Sequence, residues 1–172
     1  MNKLSLFSIL ACFSMLPLAG CGFQPMYGDY SAAADQTSHN TALSQIAIDI
    51  IPDREGQILR NNLIDKLYDG GYPSQPTATL HIEKLEETIT ELDLTKSSEA
   101  TRAQLRLQTN MVLKEASTGK TLLTRPLQSI TSYNILESEF ATRVTKESAR
   151  QSAIADLARQ IELNLSLYSN AP

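Results

Sequence analysis

Hydrophobic and polar positions change their rhythm several times along this chain. Leu4 to Leu18 is almost unbroken apolar sequence behind a short positive start, Met1-Asn2-Lys3. Gly22 to Ala42 has no period and carries Pro25, Gly28 and the polar run Asp35-Gln36-Thr37-Ser38-His39-Asn40-Thr41. Ordered structure is expected from about Ser44. There Ile46, Ile48 and Ile50 alternate with Gln45, Ala47 and Asp49, the period-two pattern of a half-buried strand. Pro52-Asp53 ends that strand, and Asp53 is the expected N-cap of a helix, because its carboxylate can accept orphan backbone N–H groups. Leu59, Leu63 and Leu67 recur every four residues with Ile64 and Tyr68 beside them. That spacing predicts an amphipathic helix, with Gly70-Gly71 free to adopt positive φ and stop it.

Thr77 to Thr95 reads as β, but irregularly. Ala78, Leu80 and Ile82 lie on one parity, Leu85 and Ile89 on the other, and Leu92 and Leu94 return to the first. Such switches predict bulges or a bent strand. Lys96-Ser97-Ser98-Glu99 predicts a turn. The cleanest alternation comes next: Ala103, Leu105, Leu107, Met111 and Leu113 against Arg102, Gln104, Arg106, Gln108 and Asn110. Ser117-Thr118-Gly119-Lys120 predicts a hairpin turn into a strand from Thr121 to Tyr133. Pro126 cannot donate to a ladder, so that strand is expected at an edge or bulged. After Asn134 the period becomes helical. Ile154, Leu157, Ile161, Leu165 and Tyr168 form a stripe, with Ala149, Ala153 and Ala158 allowing close backbone approach. This long helix is expected to start between Glu137 and Thr142. The order is β-α-β-β-β-α. The expected fold is an α+β two-layer sandwich, a four-stranded, mainly antiparallel sheet with both helices on one face.

The first twenty residues change this picture. A positive start, an apolar stretch and small residues before Cys21 have the layout of a secretory signal peptide, too short and wrongly flanked for a spanning helix. Leu18-Ala19-Gly20-Cys21 resembles the bacterial lipobox at all four positions. The resemblance implies cleavage before Cys21, a diacylglycerol on its sulfur and an acyl chain, palmitate, on its new amino group. Stable anchoring needs more than one chain, and each buried acyl CH₂ contributes ~0.8 kcal/mol. The expected organisation is therefore a signal peptide over residues 1–20, a lipidated N-terminus and tether over 21–43, and a folded domain over 44–169. By analogy with other bacterial lipoproteins, Gly22 rather than an aspartate after the cysteine points to the outer membrane. Phe23, Tyr27 and Tyr30 are unusual for a plain tether; a membrane surface, a partner or the domain itself would each account for them.

Charge and chemistry narrow the function. The chain has 15 basic and 19 acidic residues, a formal charge of −4, which argues against a general nucleic-acid binder. Cys12 leaves with the signal peptide and Cys21 is expected to be acylated, so the domain has no disulfide and must hold together by its core. His39 and His81 are too few for a metal cluster, and His81 alternates with Leu80 and Ile82 as a residue on one face of a strand. No Ser/His/Asp constellation can be assembled, and Gly70-Gly71 lacks the strand-to-helix context of a phosphate loop. No catalytic residue and no cofactor beyond the covalent lipid on Cys21 is expected. Glu83, Glu86, Glu87 and Glu91 are expected to form a solvated or partner-facing edge, and Arg143, Lys146, Glu147 and Arg150 a solvated helix face. Arg102 and Arg106 share a strand face, with Lys96 in the nearby turn. They serve surface solubility or contact phosphate, since guanidiniums suit phosphoryl oxygens.

Taken together, these residues resemble a known family. Leu18-Ala19-Gly20-Cys21-Gly22-Phe23-Gln24-Pro25-Met26-Tyr27-Gly28 is similar to the N-terminal motif of the LptE lipopolysaccharide-assembly lipoproteins. So are Ile50-Ile51-Pro52-Asp53-Arg54-Glu55-Gly56-Gln57, Leu59-Arg60-Asn61-Asn62-Leu63 and Tyr133-Asn134-Ile135-Leu136-Glu137-Ser138-Glu139-Phe140-Ala141. The resemblance implies two helices packed on a four-stranded sheet and a non-enzymatic role in the outer membrane. Such a lipoprotein plugs a large β-barrel of the LptD type, assists its assembly and helps deliver lipopolysaccharide to the outer leaflet. Its implied partners are that barrel, lipopolysaccharide and the bilayer holding the anchor. The resemblance does not match phosphate-contacting positions one by one; from their spacing alone, Lys96, Arg102 and Arg106 are the candidate contacts to lipopolysaccharide phosphates. The alternative is a periplasm-facing auxiliary lipoprotein of a lipid-trafficking transporter complex. A lipoprotein hydrolase is disfavoured by the missing nucleophile and base.

Overall fold

Alternation along residues 103–113 dictates the centre of the molecule. A computed structural model describes residues 42–68, 71–94 and 100–170. The signal peptide, Cys21 and the tether as far as Thr41 lie outside the described residues, as do Gly70 and Lys96. Among the described residues the chain runs β1 (Ile46–Ile48), α1 (Asp53–Leu67), β2 (Ala78–Ile82), β3 (Glu86–Leu94), β4 (Ala100–Glu115), β5 (Thr121–Asn134) and α2 (Glu139–Ser169). This is the expected α+β architecture. β1 and β2 are parallel, so a crossover must join them, and α1 supplies it. β2, β3 and β5 are all antiparallel to β4.

The strand count differs from the expected four, for a local reason. β2 and β3 lie end to end along the same side of β4, with Ile82 opposite Met111 and Glu86 opposite Gln108. Three residues, Glu83 to Leu85, therefore stand opposite two, Thr109 and Asn110. That is a β-bulge: it flips the parity of the strand and splits it. The groups it frees are paired, since Glu83 N–H donates to Asn110 O and Thr109 Oγ1 donates to Glu83 O at 2.8 Å. The five strands fill four columns: β1, then β2 with β3, then β4, then β5. The second expected parity switch, at Leu92, does not occur. β3 keeps one register from Glu86 to Leu94, so Leu92 lies on the opposite face from Ile89.

Leu105, Leu107, Met111 and Leu113 of β4 meet Leu80 and Ile82 of β2, Leu59 and Leu63 of α1, and Ile154, Leu157 and Ile161 of α2 in one core. Each of these side chains is at least 99% buried. The helices run side by side in the same direction. Near their starts, Arg54 lies 4.0 Å from Glu147; near the end of α1, Lys66 bonds Glu162 at 2.9 Å. α2 overshoots α1 at both ends. It starts within the expected range, and Ser138 caps it, Oγ accepting from Ala141 N–H. Asp53 does not cap α1. The N-cap is Pro52, and Asp53 is the first helical residue, at φ 64°, with its carboxylate turned to Lys84 Nζ at 2.9 Å. Nor does glycine end α1: Tyr68 is the C-cap in an extended conformation, and Gly71, at φ 98°, lies further on.

Edge strands offer unpaired backbone to other chains unless it is covered. On β1, Tyr68 Oη donates to Ile46 O at 2.6 Å, and Tyr72 Oη and Arg60 Nη2 donate to Ile48 O. Burial pushes the Tyr68 hydroxyl up to about 12, with the Tyr72 hydroxyl adding to the effect, so it remains a donor at any physiological pH. On β5, the expected edge strand carrying Pro126, Gln160 Nε2 donates to Gln128 O.

Candidate functional site

Because one parity of β4 is spent on the core, the other parity has only one place to go. Arg102, Gln104, Arg106, Gln108 and Asn110 point to the opposite face of the sheet, which no described element covers. Register extends this face into rows across three strands. Thr88, Arg106 and Ile130 form one row; Thr90, Gln104 and Ser132 the next; Leu92, Arg102 and Asn134 the last. Gln108 and Gln128 join side chain to side chain at 3.0 Å. The face is amide- and hydroxyl-rich and carries two guanidiniums.

The expected pairing of Arg102 and Arg106 on one face is present, with a limit on what it can do. Four residues of strand separate them, ~13 Å at 3.3 Å per residue. At that spacing the two are not adjacent, and each guanidinium can take its own phosphoryl group, through the parallel N–H donors that make guanidinium–phosphate pairs bidentate. Neither arginine has an ion-pair partner among the described residues. Arg106 Nε is buried and has no hydrogen-bond partner there. A buried donor without an acceptor is costly. Ile130, 43% exposed, stands beside Arg106, so an apolar group adjoins the cationic one in this row. Lys96, the third expected member, lies outside the described residues.

A second charged cluster differs from expectation. The bulge turns Glu87 toward the helices, where Arg150 Nε binds its Oε2 at 2.6 Å and Lys146 Nζ lies 3.6 Å from Oε1. Glu147 takes the remaining side of the Arg150 guanidinium. Glu87, though exposed like Glu83, Glu86 and Glu91, is thus ion-paired to α2, and Lys146 and Arg150 are half-buried rather than part of a wholly solvated face. The hydrogen bond from Arg150 holds the Glu87 carboxyl below the usual carboxylate range against the opposing effect of burial. The bond to Glu87 likewise raises Arg150. This network ties α2 to β3; it contains no nucleophile.

His81 lies on the bare face of β2, its Nδ1 3.4 Å from Asp49 Oδ2 and both side chains about half exposed. A shallow polar depression beside the bulge is lined by Glu83, Lys84, Gln108 and Gln128 among others. Neither brings a base to a nucleophile. The arrangement that remains is an uncovered polar face, backed by a buried core.

The family model described as LptE, lipopolysaccharide-assembly, matches residues 43–164. Against curated proteins the sequence finds no match. Among solved structures, the chain is similar to a lipoprotein from Caulobacter crescentus CB15, with 21% identity over 79% of this chain and 99% of the other and a TM-score of 0.61. The rare lipoprotein B from Shewanella oneidensis shares 10% identity over 72% of this chain and 95% of that one, with a TM-score of 0.58. A minor lipoprotein from Acinetobacter baumannii shares 22% over 72% and 91%, with a TM-score of 0.56. At these identities the structures speak for the fold.

Proposed function

The chain belongs to the LptE family of lipopolysaccharide-assembly proteins, and from that premise we propose that it is an acylated outer-membrane lipoprotein that plugs an LptD-type β-barrel. There it supports assembly of the barrel and helps lipopolysaccharide reach the outer leaflet, without catalysing a reaction. Residues 1–20 are its signal peptide and Cys21 its acylation site. The observation that carries this reading is the bare face of the sheet. A two-layer domain buries one sheet face under helices; the other, with Arg102 and Arg106, remains for a partner or cargo. A plug has to fill space and present polar and basic groups to a barrel wall and to passing phosphates. The face around β4, with Arg102 and Arg106, suits both needs. Anionic cargo favours Arg over Lys because the guanidinium offers a planar fork of donors.

Depletion of the protein tests the function: assembled barrel and surface lipopolysaccharide should both fall. Photocross-linkers at Gln104 and Ser132, on the bare face, should trap the barrel chain or lipopolysaccharide. Capture of inner-membrane transporter subunits alone would establish the auxiliary-lipoprotein reading instead. Cys21→Ser should abolish acylation and normal processing, read by mass spectrometry of the mature N-terminus; an unmodified Cys21 in the wild-type protein would overturn the anchor.

A further inference from the structure

β1 and β5 are the outermost strands, yet β3 also has an open side. β1 runs beside β2 only from Ile46 to Ile48. Asp49 N–H then donates to Leu80 O, and the chain leaves the sheet for α1, whose Asp53 holds Lys84 at 2.9 Å. Past the bulge, no described residue continues that column beside β3. The ladder shows which backbone groups are left there. Gln128 O accepts from Gln160 and Asn134 O from Thr145, so the even-numbered residues of β5 turn their backbone groups away from β4. Such groups alternate in direction along an antiparallel pair. Gln108, opposite Gln128, therefore bonds toward Glu86, and Thr88, Thr90 and Leu92 bond β4 in the same way. Glu87, Ile89 and Glu91 turn N–H and C=O outward. Among the described residues no hydrogen bond reaches these groups, whereas Tyr68, Tyr72 and Arg60 cap the edge of β1.

We propose that an extended, basic segment of the barrel chain pairs with the outer edge of β3 and adds a strand to the sheet, continuing the column that β1 begins. The identity of the partner rests on the plug reading; the extended form and the positive charge rest on the edge itself. Backbone donors and acceptors spaced along a strand edge are matched by another extended chain, which supplies the missing ladder. The carboxylates beside the edge set the charge. Glu86 lies on the bare face and Glu91 on the helix face, both exposed and neither in an ion pair among the described residues, while Glu87 is taken by Arg150 and Lys146. Lysine or arginine opposite Glu86 and Glu91 makes the favourable cross-strand pairs. Ile89, 38% exposed, offers an apolar neighbour between them. A second copy of this chain does not fit. Antiparallel pairing of two β3 strands about Ile89 sets Glu87 of each opposite Glu91 of the other, and parallel pairing in register aligns glutamate with glutamate; like charges directly opposite are destabilising. A plug in a lumen is surrounded by barrel chain, so the edge meets such a segment without leaving its place.

Amide exchange on the full-length acylated protein, free and co-purified with the barrel, tests the pairing. In the free protein Glu87, Ile89 and Glu91 should exchange fast beside slow Thr88 and Thr90; in the complex they should slow ~100-fold, as ladder amides do. Ile130 and Ser132, on the edge of β5, should slow far less. Equal slowing on both edges reports burial in the lumen instead of pairing, and overturns the proposal. Ile89→Pro removes an outward N–H without touching the β3–β4 ladder, and Glu86→Lys with Glu91→Lys reverses the charge without touching the backbone. Each variant, once its native circular dichroism is checked, should lose about tenfold of the protection at Glu87. Unchanged protection in both overturns the pairing; unchanged protection in the charge variant alone overturns the basic partner. Slow exchange at these amides in the free protein that grows with its own concentration assigns the edge to a second copy, and also overturns the proposal. A barrel that co-purifies while these amides still exchange fast overturns the pairing and leaves the plug standing. If no barrel co-purifies, the plug reading falls, and the proposed partner with it.

Discussion

Gly56 explains part of a motif that the sequence displays without explaining. It lies in the first turns of α1, where alanine would ordinarily be favoured by about 1 kcal/mol. A Cβ there would meet Ile51 Cγ2 at 2.7 Å and the Ile51 backbone carbon and oxygen at 3.0 Å. The side chain could turn aside, but the backbone held against the core could not, so the clash outweighs the helix preference. Gly56→Ala should destabilise the domain by about 1–2 kcal/mol, within the usual cost of overpacking, seen as a lower urea midpoint with unchanged slope. Glu87 gives a second single-residue test. Its folded pKa is depressed, chiefly by the hydrogen bond from Arg150. Its stabilising contribution is complete above the unfolded carboxyl value, about 4.3, and disappears as pH falls through the lower folded value. Glu87→Gln should therefore be less stable than wild type at neutral pH, with the two melting temperatures converging in acid. A constant gap down to the lowest accessible pH would show that the ion pair is not the cause. The pairing of Glu87 with Arg150 is not legible in the sequence because contact across 63 residues leaves no periodic trace.

At the scale of elements, legibility followed the strength of the period. β4 and α2 were readable because alternation in one and a helical stripe in the other persist over many residues. The parity change after Ile82 was equally readable as a bulge, yet a linear pattern could not say that the bulge would divide one column into two strands. Leu92 misled because an apolar residue on the bare face looks like a change of register. Asp53 misled because a nearby lysine competes for the carboxylate that would have capped α1. The bulge itself can be tested through Thr109. Its hydroxyl is buried and donates to Glu83 O, so Thr109→Val keeps the shape and removes the donor. A cost of about 1 kcal/mol is expected, together with faster amide exchange at Glu83. Thermal unfolding and exchange measured on the same variant separate local loosening from loss of the whole sheet.

For the whole molecule, the decisive feature is that one sheet has two unlike faces, and neighbouring residues of β4 belong to opposite ones. Leu105 is wholly buried under the helices, while Arg106, one residue on, lies on the face with no described cover. The core has no disulfide to support it, so stability depends on the helix-facing parity. Leu105→Asp, like Leu157→Asp on the facing helix, places an unpaired charge in that core, and should cost several kcal/mol. Arg102→Glu with Arg106→Glu reverses two charges on the bare face. Arg102 is exposed, Arg106 half-buried, and neither has an ion-pair partner among the described residues, so the melting temperature should fall far less than in the core variants. Surface lipopolysaccharide should nevertheless fall, because the reversed face repels the phosphates it is proposed to receive. The whole face was visible in the run Arg102, Gln104, Arg106, Gln108, Asn110; its emptiness was not, since periodicity marks polar positions without saying what covers them. If the double variant folds, inserts into the barrel and transports normally, the arginines serve solubility and the plug acts by shape alone. If it folds and inserts but transport fails, anion recognition belongs to the face itself, independent of the core that supports it.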